Sequence, residues 1–429
     1  MAYSVEGRSV ESTGAERPSE VIPKSHRLAV RDLLHSIDVA ADFEDGLLRQ
    51  HYSEMGSRSN TGRSTWVAIK MSTLLPDPYA LVVLSRYIVN ATERLGMQSK
   101  TDVGDVPFPG APRMQDFDAF LSQGSSPESS SMSLSEKEVW SFLHDLRVLY
   151  SDLENICTRA RDRGITITID AEESWYQPAI DLFTLRLMRE FNGLDSANTK
   201  STRFPWSGST VGPHRPLIYL TVQAYLRRTP SFLRFILDNA KTNQYSLGVK
   251  LVRGAYWEAE TALHSQALAQ ARPRLSNGIN TDAYNQADDI HASELDQTPH
   301  SKSISLSTEP YPPVWLTKRE TDEAYNECVR VLLKEVKEDV SRCRAQCEPQ
   351  EGTQAQISAY FGTHNWKSTR LVLEEMVRNG LGEVVGQHAQ DGLLKESVGL
   401  EGGFVVKIDG DVVQRVAMGQ LYGKCCSID

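Results

Sequence analysis

Lys70, Asp170, Glu172, Gln223, Tyr225, Arg253, Tyr256, Thr317, Lys318, His364 and Asn365 each stand at or just beyond the end of a short apolar, β-branched run. Lys250 lies inside one such run, so either it or Arg253 presents a positive charge at the end of that segment. Cations, amides and hydroxyls drawn from separate segments suit a buried polar ligand, and a positive group beside an electron-accepting ring stabilises that ring's electron-rich form. A metal-dependent hydrolase would need several His and carboxylate groups, typically with a His-x-His, and only His364 stands at such an end. A Schiff-base lyase would need a Lys in an apolar strand, a part Lys70 could play. The mixture of Gln, Thr, Lys, Arg and His better fits a site that wraps a polyanionic, amide-rich cofactor. Each residue also has a plainer reading. Lys70 could be a solvated loop lysine, Asp170 and Glu172 capping or first-turn acids, and His364 with Asn365 the cap of the helix that follows.

Convergence needs elements that bring these ends together. The candidate strands are 66–72, 165–170, 216–222, 246–252, 313–317, 357–363 and 414–421. Helical patterns follow most of them: in 178–191 Ile180, Phe183, Leu187 and Phe191 share one face, and 322–336 repeats the pattern. Alternating strands and helices predict an α/β protein with a parallel sheet, closed as a barrel or open and doubly wound. No GxGxxG follows a strand and no GxxxxGK[ST] occurs, which removes the usual nucleotide-binding open sheets. A (βα)8 TIM-type barrel is therefore expected, one strand short of closure, with its site at the C-terminal strand ends.

Composition narrows the partners. The chain has 429 residues, 40% of them apolar, enough for an extensive core. Its net charge of −10, from 56 acidic and 46 basic residues, leaves no basic footprint for nucleic acid. No apolar run approaches the roughly 20 residues of a spanning helix. Cys157, Cys328, Cys343, Cys347, Cys425 and Cys426 form no CxxC pair and are expected as free thiols, with no metal site. Glu6, Glu11, Glu16 and Glu20 are foreign to an Arg-rich, acid-poor transit peptide.

Six motifs together resemble the proline dehydrogenase (proline oxidase) family: TIDAEES at 168–174, VQAYLRR at 222–228, VKLVRGAYWE at 249–258, TDEAYNECV at 321–329, FGTHN at 361–365 and GQLYG at 419–423. The polar stretch before the fifth strand resembles fungal, mitochondrial members. The resemblance implies a distorted (βα)8 barrel holding FAD, which oxidises L-proline to Δ1-pyrroline-5-carboxylate and passes electrons to ubiquinone at the mitochondrial inner membrane, by peripheral association. It implies that Lys70 holds the substrate carboxylate and that Asp170 lies beside flavin and substrate, with Tyr256 and Leu421 walling the proline ring. Gln223 would bond the flavin pyrimidine edge, Lys250 would sit near the flavin's reactive nitrogen, and Arg253 and Trp257 would hold more of the FAD. Thr317, Lys318, His364 and Asn365 would contact its phosphates and adenosine.

Three departures accompany the resemblance. Lys250 stands where bacterial members have Arg, which keeps the charge but loses the planar fork. Lys424 replaces the usual Met after GQLYG. The family's eighth strand and final helix, with its Arg pair for the substrate carboxylate, have no counterpart, so the chain reads as truncated at its C-terminus. The expected organisation is a poorly defined segment with some helix over 1–60, a barrel over 61–423 with insertions near 122–135 and 272–312, and an atypical tail at 424–429. The alternative to an active enzyme is a catalytically impaired flavin-binding remnant or interaction protein.

Overall fold

The computed structural model of the chain describes residues 22–55, 65–96, 106–115, 117, 134–194, 215–276, 310–345, 355–385 and 405–420. Its strands are β1 (Trp66–Ile69), β2 (Thr166–Ile169), β3 (Ile218–Gln223), β4 (Leu247–Val252), β5 (Ile357–Gly362), β6 (Glu383–Val385), β7 (Val405–Lys407) and β8 (Val416–Gly419). The helices are α1 (Ile22–Met55), α2 (Tyr79–Gly96), α3 (Leu134–Arg163), α4 (Gln177–Phe191), α5 (Thr229–Thr242), α6 (Trp257–Ser276), α7 (Lys318–Ala345), α8 (Trp366–Arg378) and the single turn α9 (Gly410–Val413). One parallel sheet runs β1-β2-β3-β4-β5-β8, while β6 and β7 form a separate antiparallel pair.

Parallel strands need long crossovers, and the helices that supply them bury one face of the sheet. Val67, Ile69, Ile167, Ile169, Leu220, Val222, Val249, Leu251, Ala359 and Phe361 alternate along their strands on this face and are all buried. Ile180, Phe183, Leu187 and Phe191 of α4 are buried as their spacing predicts. The other face curls inward. Trp66 of β1 lies 4.4 Å from the ring of Tyr219 on β3 and 5.0 Å from that of Tyr360 on β5, centroid to centroid. Side chains from alternate strands meeting in one layer are the packing of a barrel interior. The sheet is thus a half-barrel, open between β1 and β8 among the described residues.

Six of the seven expected strands join this sheet, and 313–317 does not. β4 pairs directly with β5, so no place for a strand exists between them. Pro312 and Pro313 open the segment without backbone donors. Its remaining backbone turns to the loop after β3, where Arg227 N donates to Pro313 O at 2.9 Å and Trp315 N to Tyr225 O at 2.8 Å. The pair β6 and β7 was not expected, although its runs EVV and VVK are β-branched.

The segment expected to be poorly defined contains the 34-residue α1. It packs on α3 and β1, with His26 3.2 Å from Asp152, Arg159 2.6 Å from Asp38 and Thr65 N 2.7 Å from Glu44 Oε1. Most of the insertions at 122–135 and 272–312 and the whole tail at 424–429 lie outside the described residues. No described helix is long and apolar enough to cross a membrane.

Candidate active site

Strand register brings the polar residues together. Thr221 of β3 pairs with Lys250 of β4, Lys250 with Tyr360 of β5, and Tyr360 with Ala417 of β8. Ile169 pairs with Leu220 and with Ile69, so Asp170 stands level with Thr221 and Lys70 with Asp170. Lys70, Asp170, Thr221, Lys250 and Tyr360 therefore form one row across the inner face. Lys70, Asp170, Lys250 and Tyr360 in this row are half-buried, as are Trp66, Ala68, Val252, Gly362 and Gly419 around it, whereas the outward face is sealed.

Lys250 and Asp170 are the electrostatic centre of the row. The Lys250 Nζ lies 2.6 Å from Asp170 Oδ1, and each side chain keeps 19% of its surface exposed. Tyr360 stands close enough to Asp170 for the carboxylate to add to burial in raising the phenol's pKa. Thr221 Oγ1 is buried without a partner beside Lys250. Lys70, Asp170 and Ala68 also line a small hollow with Ala29 and Leu33 of α1, so the N-terminal helix contributes a wall.

Two buried carboxyls support the rim. Glu172 accepts from Ser72 N at 3.0 Å and from the Ser72 hydroxyl, and burial raises its pKa to about 7 against the pull of those bonds. Glu260 accepts from Ser174 N and Ser174 Oγ, both at 2.6 Å, and burial likewise raises it to about 7. Glu173 is raised by burial too. The capping reading of Asp170 and Glu172 does not hold, because Tyr176 is the cap residue of α4 and neither carboxylate bonds that helix end.

The remaining expected residues separate into groups. Gln223 is buried at the rim, donating from Nε2 to Glu172 O at 2.8 Å. Arg253 bonds Asp322 Oδ1 at 2.7 Å, Ser368 Oγ at 2.7 Å and the Thr363 hydroxyl, with its guanidinium 4.4 Å from the Tyr325 ring centroid. It ties the end of β4 to the starts of α7 and α8. Trp257 is exposed over 43% of its surface and donates to Trp315 O at 2.8 Å. Tyr256 is half-buried just before α6.

Thr317, expected at the cofactor, forms a capping box with Glu320: Thr317 N lies 2.9 Å from Glu320 Oε2, and Glu320 N 3.2 Å from Thr317 Oγ1. Lys318 is exposed and pairs with Asp322 at 3.5 Å. Asn365 caps α8, its Oδ1 accepting from Lys367 N and Ser368 N. His364 is exposed beside it. Leu421 and Lys424 lie outside the described residues. No cluster of three or more metal-ligating side chains exists among the described residues.

Tyr360, Tyr219, Trp66 and Thr221 were missed as inner-wall residues. Counting back by two from Gln223 reaches Thr221 and Tyr219, so the strand period held the signal for that strand. The Ala29 and Leu33 wall carried no signal, because α1 reaches the site only through tertiary packing.

The family model described as Proline dehydrogenase matches residues 48–290 and 302–388. The chain belongs to the proline dehydrogenase family. Mitochondrial proline dehydrogenase 1 of Dictyostelium discoideum is 26% identical over 241 residues, covering 55% of this chain and 36% of that protein. The mitochondrial proline dehydrogenase 1 of Arabidopsis thaliana is 30% identical over 119 residues, covering 28% of this chain and 20% of its own. The carbapenem antibiotics biosynthesis protein CarD of Pectobacterium carotovorum is 34% identical over 138 residues, covering 32% and 30%. A crystal structure of Bradyrhizobium japonicum proline utilization A (PutA) aligns at 17% identity with a TM-score of 0.39, covering 82% of this chain and 21% of that one. The matched stretch spans roughly a third or less of each of these proteins.

Proposed function

We propose that this chain oxidises L-proline to Δ1-pyrroline-5-carboxylate, with FAD as cofactor and a quinone as electron acceptor, in the mitochondrion. The observation that carries the reading is the inner row that brings Lys70 and Asp170, at two C-terminal strand ends, level with Lys250 inside β4, in a chain of this family.

The inner wall is suited to FAD. Thr221 Oγ1 is a buried hydroxyl lacking a partner, Lys250 supplies a cation at the same level, and Gln223 presents an amide at the rim. These three would hold the isoalloxazine ring, and the exposed Lys318 and His364 would reach the more distant phosphates and adenosine. Bound FAD would supply the two-electron acceptor for the oxidation. Arg253 contributes by fixing the two helix starts that frame the mouth.

The chain's own residues orient the substrate. The Lys70 ammonium would bind the proline carboxylate, with Leu421 and Tyr256, the latter half-buried, against the ring. Asp170 would face the ring amine, its charge held in place by Lys250. A fixed carboxylate and a shielded amine restrict the substrate to one approach, which lowers the entropic cost of reaction.

The test is to purify the chain, record its flavin absorption and add L-proline without oxygen. Loss of the flavin band and accumulation of the pyrroline product are expected, followed by turnover with a soluble quinone. Yellow protein that proline cannot bleach would overturn the reading in favour of a flavin-binding remnant.

A further inference from the structure

A buried chain of polar contacts connects the turn that carries Lys70 to the strand end that carries Gln223. Lys70 leads directly into the 3-10 turn Met71–Leu74, and its carbonyl accepts from Thr73 Oγ1 at 2.8 Å. Two residues on, Ser72 gives both its N–H and its hydroxyl to the Glu172 carboxylate. The Glu172 carbonyl takes the Gln223 side-chain amide at 2.8 Å, and the Glu172 N–H gives to Gln177 Oε1 at 3.0 Å. Gln177 Nε2 continues to Asp181 Oδ1 at 2.8 Å, and Arg228 donates to the other carboxylate oxygen, Asp181 Oδ2, at 2.6 Å. Glu172, Gln177, Asp181, Gln223 and Arg228 are all at least 97% buried. From Glu172 to Arg228 the chain is therefore shielded from water, while Lys70 and Ser72 at its start are half-buried.

Burying a carboxylate this deeply is costly unless its bonds are made, so a site that retains one holds it in a single arrangement. Glu172 faces Lys70 and Glu173 as charged neighbours and the Tyr176 phenol. It makes no hydrogen bond to the inner row, and Lys70 is the row's member that it faces as a charge. Its bonds end instead on the backbone and side chain of Ser72 and on Gln223.

We infer that Glu172 is a positioning residue: its carboxylate anchors the turn that aims Lys70, and its carbonyl anchors Gln223, so the substrate end and the cofactor end of the site are held to one buried post. The part of this inference that concerns proline rests on the proposed function, whereas the anchoring does not.

Amide hydrogen exchange of the full chain, read peptide by peptide, tests the anchoring without any ligand. In Glu172→Ala, exchange over 70–75 accelerates about ten-fold or more, as expected for loss of a charge-assisted bond. Glu172→Gln, whose amide oxygen still accepts from Ser72, accelerates less. Glu173→Ala leaves the turn at the wild-type rate, and peptides of α5 and α7 are unchanged throughout. No acceleration at 70–75, or equal acceleration everywhere, overturns the anchoring. Should Glu172→Ala fail to fold, Ser72→Ala removes one bond of the pair and carries the same expectation.

Calorimetry on the flavin-loaded variants then tests the consequence. L-Proline binds about ten-fold more weakly to Glu172→Ala with its flavin content retained. Unchanged proline affinity beside a loosened turn overturns the link to Lys70. A wild-type chain that binds no proline at all would sink the proposed function, and the exchange rates would still decide the anchoring.

Discussion

Lys250 and Asp170 meet at 2.6 Å across the intervening strand β3, with Thr221 level with both. Neighbouring parallel strands alone would leave the two carriers one strand too far apart for short side chains. The curl of the half-barrel and the length of the lysine close the gap. The pair is the one place on the inner wall where opposite charges are in direct contact among the described residues.

Removing one partner strands the other. Lys250→Met leaves Asp170 partly buried without its cation, which is expected to cost about 1–3 kcal/mol of stability, less than a fully buried pair because both side chains keep some exposure. L-Proline turnover is expected to fall by about two orders of magnitude or more, a loss of roughly 3 kcal/mol in transition-state stabilisation. Lys250→Arg keeps the charge and is expected to retain turnover within about ten-fold. Urea unfolding and steady-state assays with a soluble quinone check both.

Glu172 and Glu260 make stability depend on pH. Both carboxyls sit at about 7 in the folded protein, above the ordinary 4.5 of a glutamate, because burial disfavours the charged form. Between those values the folded state holds more protons than the unfolded chain, so stability is fully present below about 4.5 and is lost as pH rises toward 7. The loss is expected to be on the order of 3 kcal/mol per group at most. Denaturant midpoints should be higher at pH 5 than at pH 8, and Glu172→Gln with Glu260→Gln should flatten the difference. A midpoint that rises with pH in the wild type would contradict the burial of these groups.

Gly248 makes room for the inner ring layer. A methyl group there would stand 2.6 Å from Ile218 O and 2.7 Å from the Tyr219 ring. Backbone cannot yield, so Gly248→Ala is expected to cost about 1–3 kcal/mol by overpacking. Adding Tyr219→Leu should recover only part of it, since the carbonyl contact remains. Thermal unfolding of the two single variants and the double variant measures this coupling.

Local signals carried the strands that pack in the ordinary way. Six apolar, β-branched runs became neighbours in sequential order. Val314, Trp315 and Leu316 have the same composition, yet β4 and β5 pair with each other and exclude them. Composition does not say whether a sheet has a vacancy. At the site, Lys70, Asp170, Gln223 and Lys250 were legible because strand ends converge in any such barrel. The capping role of Asn365 was legible as well, being set within three residues of chain. Ala29 and Leu33 were not, since their contact with the Lys70 hollow depends on how a separate helix docks against α3. Nor was the Glu172 to Ser72 contact, which joins residues 100 positions apart.

Thr317 offers a direct choice between two roles. Its capping box with Glu320 satisfies backbone donors at the start of α7, and the hydroxyl bonds hold Glu320 below its ordinary pKa. Thr317→Ala removes the side-chain acceptor and is expected to cost about 1 kcal/mol, while Thr317→Ser restores it. If the cap is the whole role, flavin content and the flavin dissociation constant are the same in all three proteins once each is assayed below its unfolding midpoint. A hydroxyl that also bonds the cofactor would instead lower flavin affinity in Thr317→Ala by about ten-fold and recover it in Thr317→Ser. Because the box already occupies the hydroxyl with Glu320, the expected result is unchanged flavin binding, and fluorescence titration of the apoprotein with FAD decides it.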